Sequence, residues 1–510
     1  MRLLLLAFIA LLFSPFSAQA ASPDCASLLE TDWSGFQLIR AELRDADDES
    51  KPTHCFVEGV IDTEINFHLL LPAPEDWNGR FVMGGGGGYV ATVENQALAY
   101  APNMLQDGFA TVGTDTGHKG TTITATWALD RPDREVNFGH RAIHVTAETA
   151  KTIIRLFYDQ DIAYSYFMGC SRGGGQAMME SQRYPDDFDG IVAGAPAYDW
   201  LSIASQFVQI SQALYPDAND HSTPLLSMDH RKKLETAILD QCDAEDGLKD
   251  GILNDPRECA FDLASLPRCA AGAPGPDCFT KQQIAAIKTI YNGPVIEGRT
   301  YHPGFPYGGE AHPAAWNTWI VGRENAMGPG NPSLHFAFGT QFFKYLVYDN
   351  PDWDYTAYDF STFKKDTKHA ARILNSADPD LTAFKVSGGK ILFWTGWLDS
   401  ALTPLGTIEY FDKMNRHTED ADQFSRLFMM PGVTHCAGGP GPDRVDWLGA
   451  IQDWVENDKA PEQLTASKMN AQGNATMQRP ICAYPAKAVF KGEGDGTSAE
   501  EFECRLSGDD

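Results

Sequence analysis

The chain has 510 residues, of which 43% are hydrophobic, which is enough for a packed globular protein with one large domain carrying insertions, or with two domains. It has 69 acidic and 40 basic residues, and the formal net charge of -29 argues against binding to nucleic acid or to anionic membrane surfaces. The charge does not restrict a small-molecule substrate, because a local site can carry either sign.

The first twenty residues match a secretory signal peptide. Met1-Arg2 gives a basic start, an apolar core runs from Leu3 to Phe13, and Ala18-Gln19-Ala20 fits the small-residue cleavage site. The apolar core is too short to cross a bilayer, and no later apolar run is long enough for a membrane anchor. We therefore expect residues 1–20 to be removed and the mature protein to be monomeric and secreted or periplasmic.

Ten cysteines in an exported chain predict five disulfides. Proximity in the sequence suggests four local pairs, which are Cys25 with Cys55, Cys242 with Cys259, Cys269 with Cys278, and Cys482 with Cys504. Cys170 and Cys436 remain, and they lie far apart in the chain. No C-x-x-C spacing occurs, so zinc ribbons and thioredoxin-like redox sites lack support.

Apolar runs predict strands at 55–60, 65–70, 81–83, 109–113, 164–168, 190–195, 390–396 and 427–430. Helices are predicted from His140 onward, over 176–183 and around 445–455. Strands that alternate with helices at this spacing predict an α/β fold with a parallel sheet. The alternation stops in a stretch rich in Trp, Phe, Pro and Gly. We therefore expect a catalytic domain formed by residues 21–197 and 387–510, with an inserted lid domain at residues 198–386.

The stretch Gly169-Cys170-Ser171-Arg172-Gly173 fits the pattern G-x-S-x-G. This pattern describes the nucleophile elbow, a sharp strand-to-helix turn that raises a serine above the edge of a sheet. Alone, it is equally compatible with a glycine-rich turn that carries an ordinary serine. The surrounding elements have to decide between the two interpretations.

A nucleophile elbow requires a base and an orienting acid, in the chain order Ser, Asp or Glu, His. Asp399 follows the predicted strand at 390–396, and His435 follows the last predicted strand of the sheet. His435 would accept the proton of Ser171, and Asp399 would fix the tautomer of the imidazole. A disulfide between Cys170 and Cys436 would join the elbow to the loop of the base. The alternative is two unrelated buried thiols, which an oxidising compartment disfavours.

These motifs together resemble the tannase and feruloyl esterase family, which includes the mono(hydroxyethyl) terephthalate hydrolase. The family is marked by Cys-Ser, then Asp, then His-Cys, which are present here as Cys170-Ser171, Asp399 and His435-Cys436. The further matching motifs are Trp77-Asn78-Gly79-Arg80, Gly87-Gly88-Tyr89, Gly113-Thr114-Asp115 and Phe138-Gly139-His140-Arg141-Ala142. The resemblance covers nearly the whole mature chain, and it implies an α/β-hydrolase fold with a large inserted lid domain.

Acyl transfer also requires N–H donors for the oxyanion of the tetrahedral intermediate. The first expected donor is the peptide N–H of Arg172, directly after the nucleophile. The second is expected from the glycine run 84–88, where the resemblance favours Gly87. The run does not match a phosphate-binding loop, because no Gly-Lys-Ser/Thr follows it.

Residues 242–252 contain closely spaced carboxylates and glycines, which suit calcium because this cation takes six to eight oxygen ligands. The spacing is not that of an EF-hand, and a solvated acidic loop is the alternative. The resemblance implies a structural calcium site in the lid. The implied ligands are the carboxylates of Asp243, Asp246 and Asp250 and the backbone carbonyls of Leu248 and Ile252.

The resemblance implies a serine esterase that cleaves small esters of aromatic acids, such as feruloyl (hydroxycinnamoyl) or galloyl esters, through an acyl-enzyme. It places Ala401 and Leu402 at the acyl pocket. Aromatic residues of the lid are candidates to stack on the acid, and they are Trp316, Trp319, Phe336, Phe338 and Phe342. A terephthalate monoester hydrolase or a general carboxylesterase is the alternative among hydrolases. A catalytically idle binding protein of the same fold is the alternative outside them, and the intact Ser171, Asp399 and His435 argue against it.

Overall fold

The computed structural model describes residues 24–46, 51–270, 273–323 and 325–506. The predicted signal peptide, residues 1–20, lies outside these ranges. Within them, none of the helices combines the length and the apolar composition that crossing a bilayer requires.

The described residues form strands of two to nine residues. They are β1 (Phe36–Arg44), β2 (His54–Ile61), β3 (Ile65–Pro72), β4 (Arg80–Gly84), β5 (Ala110–Thr114), β6 (Tyr164–Cys170), β7 (Gly190–Gly194), β8 (Val295–Ile296), β9 (Arg299–Thr300), β10 (Lys390–Gly396), β11 (Ser425–Met430), β12 (Gln463–Met469), β13 (Ala475–Cys482), β14 (Lys487–Phe490) and β15 (Phe502–Arg505).

Helices connect most of the central strands and fill the long insertion. They are α1 (Ala97–Tyr100), α2 (Pro132–Val136), α3 (Ala142–Tyr158), α4 (Arg172–Arg183), α5 (Trp200–Leu214), α6 (Met228–Cys242), α7 (Lys281–Asn292), α8 (Leu334–Phe342), α9 (Phe363–Asp366), α10 (Lys368–Leu374), α11 (Thr382–Val386), α12 (Pro404–His417) and α13 (Trp447–Asn457). A π-helical turn, Asn137–Arg141, leads directly into α3.

Nine strands make one central sheet in the order β1-β2-β3-β5-β4-β6-β7-β10-β11. From β5 to β11 all neighbouring strands run parallel, as the sequence predicts. The first three strands differ, because β1, β2 and β3 pair antiparallel with one another and β3 pairs antiparallel with β5. The reason is the connection: β2 and β3 are joined by a tight turn, which can only link antiparallel neighbours.

Helices cover both faces of the sheet. On one face, α3, α4 and α12 bury Ile154, Met178 and Phe411 against the strands. On the other face, α13 buries Trp447 and Trp454. The predicted α/β fold is confirmed, and both of its faces are packed as a largely parallel sheet requires.

The segment between β7 and β10 contributes no strand to the central sheet. Its helices from α5 to α10 share a separate apolar core, which includes the fully buried Trp316 and Phe342. The predicted boundaries of the lid domain, 198 and 386, remain predictions, but the insertion itself is present where the alternation of strands and helices stops. The C-terminal strands β12 to β15 form two hairpins outside the central sheet.

The five predicted disulfides are confirmed, and all ten cysteines are paired. They are Cys25–Cys55, Cys170–Cys436, Cys242–Cys259, Cys269–Cys278 and Cys482–Cys504.

Four parallel strands end at the segments that the sequence predicts to carry the chemistry. Strand β6 leads into Ser171, and β4 leads into the glycine run. Strand β10 ends three residues before Asp399, and β11 ends five residues before His435. Because the carboxyl ends of parallel strands meet at one edge of a sheet, this edge is where a ligand is expected to bind.

Replacing Gly174 by alanine is expected to destabilise the protein, because α4 packs closely on the end of β7. A Cβ at Gly174 would lie 2.1 Å from the carbonyl oxygen of Gly194 and 2.9 Å from Cα of Pro196. Alanine gains about 1 kcal/mol of helix propensity over glycine, but overpacking of a core costs about 1–3 kcal/mol, and here the obstacle is backbone. We expect lower midpoints in thermal and urea unfolding for Gly174→Ala than for wild type. The control is Gly120→Ala, where the nearest atom lies at 3.6 Å, and equal midpoints for the two variants would contradict this account of the packing.

Candidate active site

Ser171 lies in a strained turn between β6 and α4. Its backbone has φ +63° and ψ -120°, a region that residues with a side chain rarely adopt and that is typical of a nucleophile elbow. The end of β7 holds this conformation, since the Ser171 N–H donates to the carbonyl of Gly194 (3.0 Å) and the Ser171 carbonyl accepts from the N–H of Ala197 (2.9 Å). The turn also needs small neighbours, because a Cβ at Gly169 would lie 2.6 Å from the carbonyl carbon of Gly173.

Asp399 and His435 form a hydrogen-bonded pair. His435 Nδ1 lies 2.8 Å from Asp399 Oδ2, and the Asp399 side chain is fully buried. The other carboxylate oxygen, Oδ1, accepts from the N–H groups of Ala401 (2.8 Å) and Leu402 (2.9 Å). These three bonds fix the carboxylate, and through it the orientation of the imidazole.

The second ring nitrogen of His435 is available for chemistry. Among the described residues Nε2 has no hydrogen-bond partner, although it is buried. The ring of Trp319 packs edge-on against the imidazole, with centroids 4.8 Å apart. Because Nδ1 is hydrogen-bonded to Asp399, Nε2 is the nitrogen that can accept a proton from a nucleophile.

The disulfide Cys170–Cys436 joins the loops that carry Ser171 and His435. It joins residues 266 positions apart in the chain, and its Cα atoms lie 5.9 Å apart. Cys170 is the residue before Ser171, and Cys436 is the residue after His435. One covalent link therefore limits the distance between the two loops that carry the reactive side chains.

Three side chains, from α4 and from the segment before α1, hold the glycine run beside the elbow. The N–H of Gly86 donates to Gln176 Oε1 (3.0 Å) on α4, and Gln96 Oε1 accepts from the N–H of Cys170 (2.9 Å). The N–H of Gly87 donates to Glu94 Oε2 at 2.7 Å. Burial raises the pKa of this Glu94 carboxyl, and the Gly87 N–H opposes that rise.

The hydrogen bond from Gly87 contradicts its predicted role as an oxyanion donor. An amide hydrogen given to a carboxylate is not available to an oxyanion. The physical reason is a tight turn, in which the Val90 N–H donates to the Gly87 carbonyl (2.8 Å) and Glu94 comes within reach of the Gly87 N–H. In the described part of the chain, the N–H groups of Gly88 and Arg172 donate no hydrogen bond, and both residues border the pocket at Ser171.

Arg172 places a buried positive charge behind the nucleophile. Its side chain is 1% exposed, and Nη2 donates to the carbonyls of Phe138 and Gly139. Its guanidinium carbon lies 4.4 Å from the centre of the Phe138 ring. Nε and Nη1 have no hydrogen-bond partner among the described residues. Burial lowers the pKa of Arg172 to about 9, so the guanidinium remains charged at neutral pH.

A pocket of about 370 Å³ opens beside Ser171. It is mainly apolar and combines residues of the sheet edge with residues of the insertion. Its lining residues are Gly88, Ser171, Arg172, Ala197, Trp200, Ile203, Phe207, Trp319, Phe338, Ala401 and Leu402.

The pocket includes four of the seven candidate substrate contacts, namely Trp319, Phe338, Ala401 and Leu402. The prediction is wrong for Trp316, which is 1% exposed and packs against Tyr291 in the core of the insertion, with ring centroids 5.5 Å apart. Trp316 and Trp319 belong to one short segment, and the fold turns the first inward and the second toward His435. Phe336 and Phe342 are also buried in the core of the insertion.

One wall of the pocket is not evident from any motif. Trp200, Ile203 and Phe207 lie on the first two turns of α5 and face Ser171. Their spacing places them on one face of a helix, so the periodicity of the sequence could have identified the face but not what it covers. The roles of Glu94 and Gln96 are visible only once the glycine run is placed in space.

In the predicted calcium loop, carboxylates accept hydrogen bonds from backbone N–H groups of the same loop. Asp243 Oδ1 accepts from the N–H of Gly251 (2.8 Å), and Asp246 accepts from the N–H groups of Leu248 (3.0 Å) and Asn254 (3.2 Å). Burial raises the pKa of Asp246 to about 6, and the neighbouring Asp250 and Asp243 add to that rise.

The third carboxylate of the loop differs from the other two. Asp250 Oδ1 accepts from the N–H of Ile252 (3.0 Å), and its Oδ2 forms an ion pair with Arg479 of β13. This ion pair with the C-terminal hairpin has no counterpart in the sequence prediction. Asp243 and Asp246, in contrast, have no ion pair in the described part of the chain.

The sequence and the structure of this chain are similar to those of known proteins of one family. The family model described as tannase and feruloyl esterase matches residues 51–505. The feruloyl esterase B of Aspergillus niger is 32% identical over 475 residues, which is 88% of this chain and 86% of that protein. The mono(2-hydroxyethyl) terephthalate hydrolase of Piscinibacter sakaiensis is 32% identical over 519 residues, which is 89% of this chain and 85% of that protein. The crystal structure of feruloyl esterase B from Aspergillus oryzae matches with a TM-score of 0.81 and 25% identity, over 94% of this chain and 99% of that one.

Removing the Cys170–Cys436 disulfide is expected to lower turnover of an ester more than it lowers helix content. We suggest Cys170→Ala with Cys436→Gly, because Cys436 has φ +64° and glycine retains that conformation easily. A displacement of about 1 Å between nucleophile and base can reduce rates about 100-fold. We therefore expect at least a tenfold fall in kcat for a chromogenic ester, with far-ultraviolet circular dichroism unchanged.

The control replaces Cys482 and Cys504 by alanine, because that disulfide pins the C-terminal hairpins. The control is expected to keep its kcat. Full turnover in the Cys170 and Cys436 double variant would show that the disulfide does not position the catalytic groups.

Proposed function

Since the chain belongs to the tannase and feruloyl esterase family and is a carboxylic ester hydrolase, we propose that Ser171, His435 and Asp399 are its nucleophile, base and orienting acid. One observation carries the proposal. The bond from His435 Nδ1 to Asp399 leaves Nε2 without a hydrogen-bond partner among the described residues, and the imidazole packs against Trp319, which lines the same pocket as Ser171. The disulfide next to both reactive residues keeps that nitrogen near the serine.

In the first half of the reaction, Ser171 Oγ attacks the carbonyl carbon of the ester while His435 Nε2 takes the hydroxyl proton. The electron pair of the carbonyl moves to its oxygen, which becomes the oxyanion of a tetrahedral intermediate. When the intermediate collapses, the bond to the alcohol oxygen breaks, and Nε2 returns the proton to that oxygen. The acid remains bound to Ser171 as an acyl-enzyme.

In the second half, a water molecule replaces the alcohol. His435 Nε2 takes one of its protons as its oxygen attacks the acyl carbon. Collapse of the second tetrahedral intermediate breaks the bond to Ser171 Oγ, and the proton returns to that oxygen. Asp399 stabilises the imidazolium in both halves without becoming protonated.

We propose that the oxyanion is bound by the N–H groups of Arg172 and Gly88. Arg172 is the first residue of α4, where the peptide N–H has no partner inside the helix and the helix dipole is positive. Gly88 borders the pocket, has φ +54°, and leaves no room for a side chain, since a Cβ would lie 2.2 Å from the carbonyl oxygen of Thr122. Removal of one such donor costs about 3–4 kcal/mol in related chemistry.

The acyl group of the substrate is proposed to be aromatic. Trp200, Phe207, Trp319 and Phe338 surround a pocket that is open at Ser171. Stacked or edge-on aromatic contacts contribute about 0.5–1.5 kcal/mol each beyond the burial of apolar area. A feruloyl (hydroxycinnamoyl) or galloyl ester is the proposed substrate, and a terephthalate monoester is the second candidate, because the Piscinibacter sakaiensis relative bears that activity in its name.

We also propose that the protein acts in an oxidising compartment, either secreted or periplasmic. The support is the pairing of all ten cysteines, since such disulfides persist outside the reducing cytosol.

A structural calcium ion in the insertion is part of the proposal. The carboxylates of the buried Asp243 and the half-buried Asp246 repel each other, have no ion pair among the described residues, and fit a hard cation that takes oxygen ligands. Asp250 would bind the calcium ion through Oδ1 only, because Oδ2 forms an ion pair with Arg479. The carbonyls of Leu248 and Ile252 stay predicted ligands. The ion would stabilise the loop and has no part in the chemistry at Ser171.

Ser171→Ala is expected to reduce hydrolysis of 4-nitrophenyl acetate by at least about 10³-fold, as loss of a catalytic serine does in comparable enzymes. The matched control is Ser181→Ala on the same helix, whose hydroxyl donates only to the Met178 carbonyl (2.9 Å). The control should keep wild-type turnover. Comparable activity in Ser171→Ala and wild type would exclude this nucleophile.

The acyl group that the enzyme prefers is identified by assaying methyl ferulate, methyl gallate and mono(2-hydroxyethyl) terephthalate side by side. We expect kcat/KM to be highest for one of the first two esters. Preference for an aliphatic ester such as methyl butyrate would contradict the aromatic pocket and favour a general carboxylesterase.

Chelation with EGTA is expected to lower the Tm, and added calcium is expected to restore it. A ligand bound only to the folded state at 100 times its Kd stabilises that state by about 2.7 kcal/mol. Asp246→Asn should make the Tm insensitive to EGTA, whereas Asp240→Asn, on the exposed face of α6, should respond as wild type does. An EGTA-independent Tm in wild type, after elemental analysis confirms that calcium has been removed, would refute the site.

A further inference from the structure

Three side chains of metal-ligating types lie close together near the C-terminal part of α4, remote from Ser171. His144 lies on α3, Glu180 lies on the third turn of α4, and Asp187 lies in the loop before β7. One ligand atom from each of these residues lies within 4.8 Å of the other two. No other set of three His, Cys, Asp or Glu side chains in the described part of the chain meets this condition.

Glu180 is a buried carboxyl group without a hydrogen-bond donor. It is 1% exposed, no donor group among the described residues bonds to its oxygens, and its polar neighbour is the carboxyl group of Asp187, with which it can share a proton. No lysine, arginine or histidine nitrogen in the described part of the chain lies within 4.0 Å of it. A buried carboxyl group in this condition is costly unless it is neutralised by a proton or by a cation.

The other two side chains are already aligned toward one another. His144 Nδ1 lies 2.6 Å from Asp187 Oδ2. The imidazole is held from one side by Tyr184, whose ring stacks on it with centroids 4.0 Å apart and planes 5° apart. Tyr184 in turn is bonded through its hydroxyl to His140 Nδ1 (2.9 Å). The stacked ring of Tyr184 fixes the plane of the imidazole.

Lys151 lies beside this cluster, but it forms no ion pair with Glu180 or Asp187. Its ammonium donates to the backbone carbonyl of Asp187, not to a carboxylate, and lies 5.3 Å from the centre of the Phe188 ring. Its one ion pair, at 3.9 Å, is with the exposed Glu148. Two carboxylates therefore share the cluster with one imidazole and no ammonium in contact.

We propose that His144, Glu180 and Asp187 form a binding site for a divalent transition-metal ion, with zinc as the best match. One imidazole and two carboxylates are ligands that zinc accepts, with bonds of about 2.0–2.2 Å. Such bonds put neighbouring ligand atoms of a tetrahedral shell about 3.4 Å apart, so rotations of these side chains are sufficient to close the shell. The fourth position would be filled by water from the side of His144, whose side chain is 32% exposed.

The ion would be structural. It would join α3, α4 and the loop before β7 at three points, and its ligands lie on the part of α4 that is remote from Ser171. Its presence is independent of ester hydrolysis, so the test does not use enzyme activity.

The test measures binding of ZnCl₂ to the full-length mature protein by isothermal titration calorimetry, in a buffer with millimolar calcium so that the acidic loop in the insertion does not compete. We expect one equivalent of zinc to bind to wild type and to raise its Tm. Glu180→Gln, which keeps the size of the side chain, and His144→Phe, which keeps an aromatic ring against Tyr184, should each weaken zinc binding at least tenfold. Glu148→Gln, on the exposed side of α3, should bind zinc as wild type does.

His144→Phe alone decides the test if Glu180→Gln does not fold, because His144 is partly exposed and its replacement leaves the buried carboxylates in place. Absence of saturable zinc binding in wild type at micromolar concentration would overturn the proposal and leave a proton shared between Glu180 and Asp187 as the explanation. Equal zinc affinity in wild type, Glu180→Gln and His144→Phe would overturn it as well, because the zinc would then occupy some other site.

Discussion

The disulfide between Cys170 and Cys436 is the constraint on which the geometry of the active site depends. Ser171 and His435 come from strands at different positions in the sheet, and their loops have no other covalent connection. Both loops are strained, with positive φ at Ser171 and at Cys436, so neither would keep its shape in isolation. The bond restricts the two strained loops to one mutual arrangement, and the hydrogen bond from His435 to Asp399 then fixes the direction of the imidazole. The positions of Ser171, His435 and Asp399 are thus held by the protein itself.

The pocket is completed by the insertion, and a contact through Tyr89 couples the two parts. Tyr89 directly follows the glycine run, and its hydroxyl donates to the backbone carbonyl of Phe338 at 2.9 Å. Phe338 lines the pocket, and its ring lies 6.1 Å from that of Trp319, which packs on His435. The aromatic side chains of the pocket and the glycine run are therefore positioned together. Because of this coupling, a change in the insertion can affect both the choice of acid and the rate of its transfer.

The sequence predicts those parts of the molecule that local pattern determines. The buried strands, the elbow, the Asp and His after their strands and all five disulfides follow from apolar runs, motifs and spacing. Strand β1 is not predicted, because as an edge strand it exposes Ile39 and Leu43 and carries charged residues. The roles of Trp316 and Gly87 are predicted wrongly for a different reason. Which of two nearby tryptophans faces the pocket, and whether an amide is already bonded to Glu94, depend on contacts between distant segments.

The buried guanidinium of Arg172 has no carboxylate partner among the described residues, and the proposed reaction gives it a role. It lies at the N-terminus of α4, where the helix dipole is already positive. In the resting state the guanidinium is offset only by the carbonyls of Phe138 and Gly139 and by the rings of Phe138 and Trp200. In the proposed reaction, a negative charge arises beside Ser171 when the ester carbonyl becomes tetrahedral. Fixed charge that is unfavourable before the reaction and favourable during it stabilises the transition state relative to the ground state, which is the condition for catalysis.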